Sequence, residues 1–183
     1  MGAIIGIALP RLTDKKIDIR KVLREFGTAG KDLKGRAKLN GTTYRLAFQL
    51  EPTNAQSWWV EKSSQATLID KKTLEKEREA LKEAQAKGSA EAPPAAFQPD
   101  LTIFKKKQSL PSGFRFVHIE SGTQDVILTD GTAYIHFFPQ GLIEASAIQI
   151  EDPKKNIWTL VYNPITGHMD VIPEAKVLKD LAR

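Results

Sequence analysis

Apolar positions near the N-terminus change their spacing within forty residues. Ala3, Ile4, Ile5, Ile7, Ala8 and Leu9 form a short apolar run, closed by Pro10-Arg11-Leu12. Beyond the proline, Ile19, Leu23, Phe26, Gly30, Leu33 and Ala37 recur at steps of three and four, which puts them on one face of an α-helix. Lys15, Lys16, Arg20, Lys21, Arg24, Lys31, Lys34, Arg36 and Lys38 occupy the remaining faces. The spacing predicts a helical stem over about residues 11–38, with Gly27, Gly30 and Gly35 as its weakest points. Pro10 marks a bend or a helix start, because its ring removes an amide donor and clashes with the preceding turn.

After the turn signal Asn40-Gly41 the period drops to two. Tyr44, Leu46, Phe48 and Leu50 alternate with polar neighbours and predict a strand with one buried face. Residues 56–62, containing Trp58-Trp59, are expected to return as its hairpin partner. Strand patterns resume at residues 114–119, 125–128, 133–138, 142–150, 157–162 and 168–172, separated by short turns such as Asp130-Gly131, Pro139-Gln140-Gly141 and Asn163-Pro164-Ile165-Thr166-Gly167. Residues 174–183 could close the chain as a short helix. Many strands with short turns predict an antiparallel head, either two sheets or one strongly bent sheet. The fold class expected is therefore α+β, a long N-terminal helix packed on an antiparallel β head.

Two units follow: residues 1–40 as an apolar and amphipathic stem, and residues 41–183 as the β-rich head. The head carries an inserted helix and linker at about residues 70–108. Residues 71–87 are rich in Lys, Glu and Ala, with Leu74 and Leu81 as the large apolar residues, and predict a mostly solvated helix. Residues 88–99 hold Pro93, Pro94 and Pro99 and predict an extended connector. Phe104 is expected to dock back before Lys105-Lys106-Lys107.

Composition adds where the charge sits. The 183-residue chain has a formal net charge of +5. Residues 11–38 hold ten Lys and Arg against four Asp and Glu, so the basic character belongs to the stem. Such a helix suits an anionic membrane surface or a nucleic-acid backbone, and equally an ordinary solvated face. The run Ala3–Leu9 is far short of the roughly 20 apolar residues that span a bilayer. It has neither the basic start nor the cleavage site of a secretory signal. It is a buried helix end, or the tail of a membrane helix whose first half lies outside this sequence.

Catalytic patterns are missing from the sequence. With no cysteine, disulfides, thiol catalysis and thiolate metal sites are excluded. His118, His136 and His168 are isolated and form no metal-binding pair. Glu120 and Glu144 lie near strands without an evident partner. No nucleophile elbow, P-loop or dinucleotide fingerprint occurs. Trp58-Trp59 could stack on bases, but in an alternating strand one tryptophan faces the core and the other faces out.

The order of several motifs resembles the type IV pilin-like proteins, in particular the H-type minor pseudopilins of type II secretion (GspH) and their type IV pilus relatives (FimT). The resemblance rests on Ala3-Ile4-Ile5-Gly6-Ile7-Ala8-Leu9-Pro10-Arg11-Leu12, similar to the second half of the family's membrane helix with its proline. It continues in Tyr44-Arg45-Leu46-Ala47-Phe48 and Trp58-Trp59-Val60-Glu61, then Phe137-Phe138-Pro139-Gln140-Gly141-Leu142-Ile143-Glu144 and Tyr162-Asn163-Pro164-Ile165-Thr166-Gly167. It covers nearly the whole chain outside residues 70–108. The family's N-terminal glycine, cut by the prepilin peptidase, and the glutamate after it are not present, so neither role is carried over; the chain is expected to start about a dozen residues into the mature family sequence.

The resemblance implies a minor pseudopilin, a non-enzymatic subunit of a filament for protein export, without cofactors. It implies a single-pass inner-membrane anchor with a periplasmic head, prepilin methylation, and other major and minor pseudopilins and exported cargo as partners. Ile4, Ile5, Ile7, Leu9 and Pro10 would lie in the membrane or filament-core helix, and Ile19, Leu23, Phe26, Leu33 and Ala37 would pack the stem on the head. The alternative is a minor pilin that binds DNA during uptake, suggested by the basic stem, Lys105-Lys106-Lys107, Lys176, Lys179 and Arg183.

Overall fold

The structure is a computed structural model that describes residues 15–51, 56–63, 79, 97–122 and 126–181. Helix α1 spans Lys15–Asn40 without interruption, through Gly27, Gly30 and Gly35. Tertiary burial of one face outweighs the weak helix propensity of those glycines. Gly41, at φ 61°, ends the helix in the left-handed conformation that glycine adopts freely, and the Thr42 amide donates back to the Ala37 carbonyl.

Among the described residues, two five-stranded antiparallel sheets follow. The first contains β1 (Tyr44–Leu50), β2 (Ser57–Ser63), β3 (Phe97–Pro99), β4 (Gln108–Ser109) and β7 (Gly131–Phe137). Its order is β3-β2-β1-β7, with β4 also on β2. The second runs β10-β9-β8-β5-β6, from β5 (Arg115–Ser121), β6 (Val126–Leu128), β8 (Ser146–Glu151), β9 (Ile157–Tyr162) and β10 (Met169–Ile172). The terminal helix is a single turn, α2 (Leu178–Leu181), whose first amide donates to the Glu120 carboxylate at 2.7 Å.

Phe26 joins the three layers. Its ring lies 4.7 Å from Trp58 and 6.1 Å from Phe48 of the first sheet, and 6.1 Å from Phe116 of the second. Burying a side chain of that size contributes about 1.5–3 kcal/mol. Around it the core gathers Leu33, Leu46, Ile119, Ile135, Ile148 and Leu160, all fully buried.

Three features differ from simple alternation. The alternate face of β1 is buried as well: Arg45 and Ala47 are as enclosed as Tyr44 and Leu46. Phe97–Pro99, expected in a connector, pairs as a strand with Glu61–Ser63, and Phe104 packs edge-on against Trp58 at 4.9 Å. A β-bulge between Phe116 and His118 shifts the register against β8. The extra residue lets Phe116 and Ile119, three apart, both enter the core. The predicted solvated helix over 71–87 lies outside the described residues apart from Glu79.

Candidate functional site: the stem helix and the head that holds it

Helix α1 presents Ile19, Val22, Phe26, Ala29, Leu33 and Ala37 to the head, all buried, with Leu23 partly buried at the margin. Val22 and Ala29 are absent from the sequence-derived stripe; the buried arc is centred slightly away from Leu23. Ile4, Ile5, Ile7, Leu9 and Pro10 lie outside the described residues. Among the described residues no helix is long and apolar enough to cross a membrane.

Polar groups add direction to this packing. The Tyr162 hydroxyl, on β9, donates to the Phe26 carbonyl oxygen at 2.7 Å. Complete burial holds the phenol far above its ordinary pKa, so it remains a donor. Gly30 sits under the same ring, leaving room for the close approach of helix and sheet. Lower on the helix, the Lys34 ammonium donates to the Ile165 carbonyl in the β9–β10 turn. That turn is shaped by Asn163, whose side-chain oxygen accepts from the amides of Ile165 and Thr166.

The outer face of the first sheet carries a buried polar lattice. Arg45 lies opposite Glu61 on β2 and His136 on β7. Its guanidinium donates to Glu61 at 2.6 Å and sits between the Phe97 and Tyr134 rings, 3.8 Å from each centroid. A planar, delocalised cation suits such a slot, where an ammonium would not stack. Trp59 Nε1 donates to the second Glu61 oxygen at 2.7 Å. The Lys107 ammonium lies 3.8 Å from the Trp59 ring centroid.

Beside this lattice Glu144 ties the two sheets together. One carboxylate oxygen accepts from Ser121 Oγ of β5. The other accepts from the His136 amide at 3.0 Å and pairs with His136 Nδ1 at 2.6 Å. Burial pushes the Glu144 carboxyl up, but the His136 and Ser121 bonds outweigh it and hold it below its ordinary pKa. The His136 ring lies 5.9 Å from the Phe97 ring and 6.3 Å from those of Tyr134 and Phe138, and its Nε2 has no hydrogen-bond partner among the described residues. Serine, glutamate and histidine together suggest a hydrolase, yet the geometry is wrong for one. The carboxylate stands between serine and histidine, so the Ser121 hydroxyl faces Glu144 and not the imidazole, and His136 and Glu144 are closed to solvent. The cluster is an inter-sheet tie.

No group of three or more His, Asp or Glu residues able to hold a metal occurs among the described residues. The three histidines stay apart in role: His136 is buried on Glu144, His118 is half-buried, and His168 is exposed beside Asp170 at 3.6 Å. Burial lowers the His118 pKa, with Glu120 opposing. Trp58 is buried and Trp59 is covered by Lys107, so the tryptophan pair offers no open stacking platform. A shallow polar cleft of about 450 Å³ lies by the C-terminal end of α1, between Arg36, Asn40, Lys62, Gln98 and Asp100.

The comparisons agree with this architecture. No protein-family model matches the sequence, and no curated protein sequence matches it. Among solved structures, the chain is similar to the minor pseudopilin EpsH from the type 2 secretion system of Vibrio cholerae. The TM-score is 0.50 at 9% identity, over 85% of this chain and 97% of the other. The likeness establishes the fold: a pseudopilin-like α+β protein with one N-terminal helix laid on two antiparallel sheets.

Proposed function

We propose that this chain is a minor pseudopilin of the H type, a non-enzymatic subunit of the short filament that drives protein export by type II secretion. The observation that carries the reading is the match of stem and head together to nearly the full length of a minor pseudopilin, despite 9% identity. The stem supports it physically. One face of α1 is committed to the head by Ile19, Phe26, Leu33 and Ala37, and the opposite side remains solvated and basic. A helix held this way transmits a pull on its N-terminal end to the head.

In this reading Ile4, Ile5, Ile7, Leu9 and Pro10 belong to the helix that lies in the inner membrane before assembly and in the filament core after it. Lipid and a bundle of apolar helices are similar media for such side chains, so the transfer costs little. The head stands in the periplasm, and its partners are the major and other minor pseudopilins and, at the surface, exported protein.

The test is the intact mass and N-terminal sequence of the native protein isolated from membranes, with export assayed in a gene deletion. The expected result is a processed, N-methylated chain longer at its N-terminus than Met1, and loss of export in the deletion. A soluble protein beginning at Met1, with export unchanged, overturns the reading.

A further inference from the structure

The two solvent flanks of α1 differ in how their charges are compensated. On one flank Lys21 pairs with Glu25 at 4.0 Å and Arg36 with Asp32 at 3.1 Å. On the other lie Arg20, Arg24, Lys31 and Lys38, all exposed, and among the described residues none has an acidic partner. Their spacings of four, seven and seven keep them within about 40° of arc on the helix, along about 27 Å of its axis. The acids of this helix all fall elsewhere, so the stripe is a row of one sign.

The head borders this row with apolar surface. A cleft of about 230 Å³ runs between Arg24, Gly27, Thr28 and Lys31 of the helix and His168 and Met169 of the β10 side. The nearby acid Asp170 stands beside His168. Further along, Leu142 is 45% and Ile165 73% exposed, on two turns joined by the Ile143 amide bond to the Pro164 carbonyl. Both turns lie against the helix: Lys34 donates to Ile165, and a Cβ at Gly141 would lie 3.7 Å from Lys38 Cδ.

We propose that this row of cations, with the apolar rim of Leu142 and Ile165, is the docking face for an acidic side of another pilin-like subunit. The inference rests on the filament reading above. Its charge pattern selects the partner's chemistry: carboxylates spaced along a helix or strand that runs beside α1. A membrane surface fits less well. A stem leaving the bilayer along its normal carries Lys38 about 27 Å beyond Arg20. Screening in physiological salt confines a headgroup field to about 8–10 Å, so it reaches one end of the row. A nucleic-acid backbone would match the charges but would leave Leu142 and Ile165 against phosphate, and Trp58 and Trp59 would offer it no open platform. A protein side offers both carboxylates and apolar atoms, as an interface core and rim require.

The test places the photo-cross-linker benzoylphenylalanine at Thr28, and separately at Asp130 in the exposed turn before β7, in the native chain in its own host. Adducts are identified by mass spectrometry. The expected Thr28 adduct is a pilin-like subunit joined through an Asp- or Glu-bearing peptide. Its yield falls about tenfold or more in Arg20→Glu/Arg24→Glu/Lys31→Glu/Lys38→Glu, and recovers when the partner's acids are reversed to lysine. These four sites are exposed, so thermal melting of the variant should match wild type; Arg24→Gln/Lys31→Gln gives a milder loss if it does not. A Thr28 adduct with phospholipid or nucleic acid alone overturns the proposal, as does a subunit adduct indifferent to the charge reversal. Filament subunits captured from Asp130 but never from Thr28 overturn this face while leaving the filament reading intact. Failure of the filament reading itself would show separately, as unimpaired export in the deletion.

Discussion

Tyr162 donates its hydroxyl to the Phe26 carbonyl at 2.7 Å, and this bond fixes the height of the stem on the second sheet. Both residues are fully buried, so neither group has water as a substitute partner. Tyr162→Phe keeps the ring and removes the donor. It should cost about 1–2 kcal/mol, read as a lower urea midpoint with unchanged slope.

Gly30 reports on the same contact from the other side. A Cβ there would overlap Tyr162 Cε1 and stand 3.0 Å from Cζ. Alanine improves helix propensity by up to about 1 kcal/mol in a free helix. Here overpacking should dominate, and Gly30→Ala should destabilise by about 1–3 kcal/mol. Gly35→Ala is the control. Nothing lies within 4 Å of a Cβ at that position, so this change should stabilise slightly. If the two alanine variants melt alike, the close stem–sheet approach is wrong.

Arg45 is the pin of the outer lattice. Arg45→Met fills part of the slot between Phe97 and Tyr134 but leaves Glu61 buried without its cation, with the Trp59 indole still donating to it. The expected loss is about 3–5 kcal/mol, because a buried carboxylate loses its cation. Amide exchange at Gln98 should accelerate more than at Ile135, since β3 is held by a three-residue ladder on β2 while β7 shares a seven-residue ladder with β1 and Ile135 is fully buried.

Glu144→Gln keeps the shape of the inter-sheet tie but removes the charge that both Ser121 and His136 face. A loss of about 2–4 kcal/mol is expected from circular-dichroism melts. Glu144→Leu should be no better, because it leaves the Ser121 hydroxyl and the His136 amide beside an apolar side chain.

Glu151 provides the pH test. Paired hydrogen bonds from Arg115 at 3.0 Å, with Lys155 adding to them, bring its carboxyl from 4.5 down to about 2. A folded-state pKa below the unfolded one contributes stability that is complete above about pH 4.5 and is lost as pH falls toward about 2. Arg115 is largely exposed, so solvent screens the pair and the expected contribution at pH 7 is about 0.5–1 kcal/mol. Arg115→Gln should show that difference in urea melts at pH 7, and the gap should close between pH 4 and pH 2. A gap that is constant with pH would assign it to packing of the arginine stem instead.

Much of this architecture follows from local patterns. The three-and-four spacing of Ile19, Phe26, Leu33 and Ala37 forces a helix with one apolar face, and the two-residue alternation around Tyr44, Ile135 and Ile148 forces strands, because backbone geometry alone sets those periods. The basic character of the stem is equally plain in composition. A period marks a face, however, and cannot tell what will cover it. The polar positions Arg45, Glu61 and His136 carry no apolar pattern that announces burial, yet the fold seals them. Phe97, from an unpatterned stretch distant in sequence, lies against both Arg45 and His136, and Phe138 stacks on His136. The partners of Glu144 stand eight and 23 residues away, at His136 and Ser121, and only the meeting of the two sheets brings both to one carboxylate. The bulge at Phe116 and His118 is invisible for the same reason, since a register exists only between two strands. Arg20, Arg24, Lys31 and Lys38 can be placed on one line by counting, but that no acid among the described residues pairs with them depends on which head surface lies beside them. Short-range sterics decide the elements, and long-range burial and pairing decide which charges are spent inside the protein and which remain for a partner.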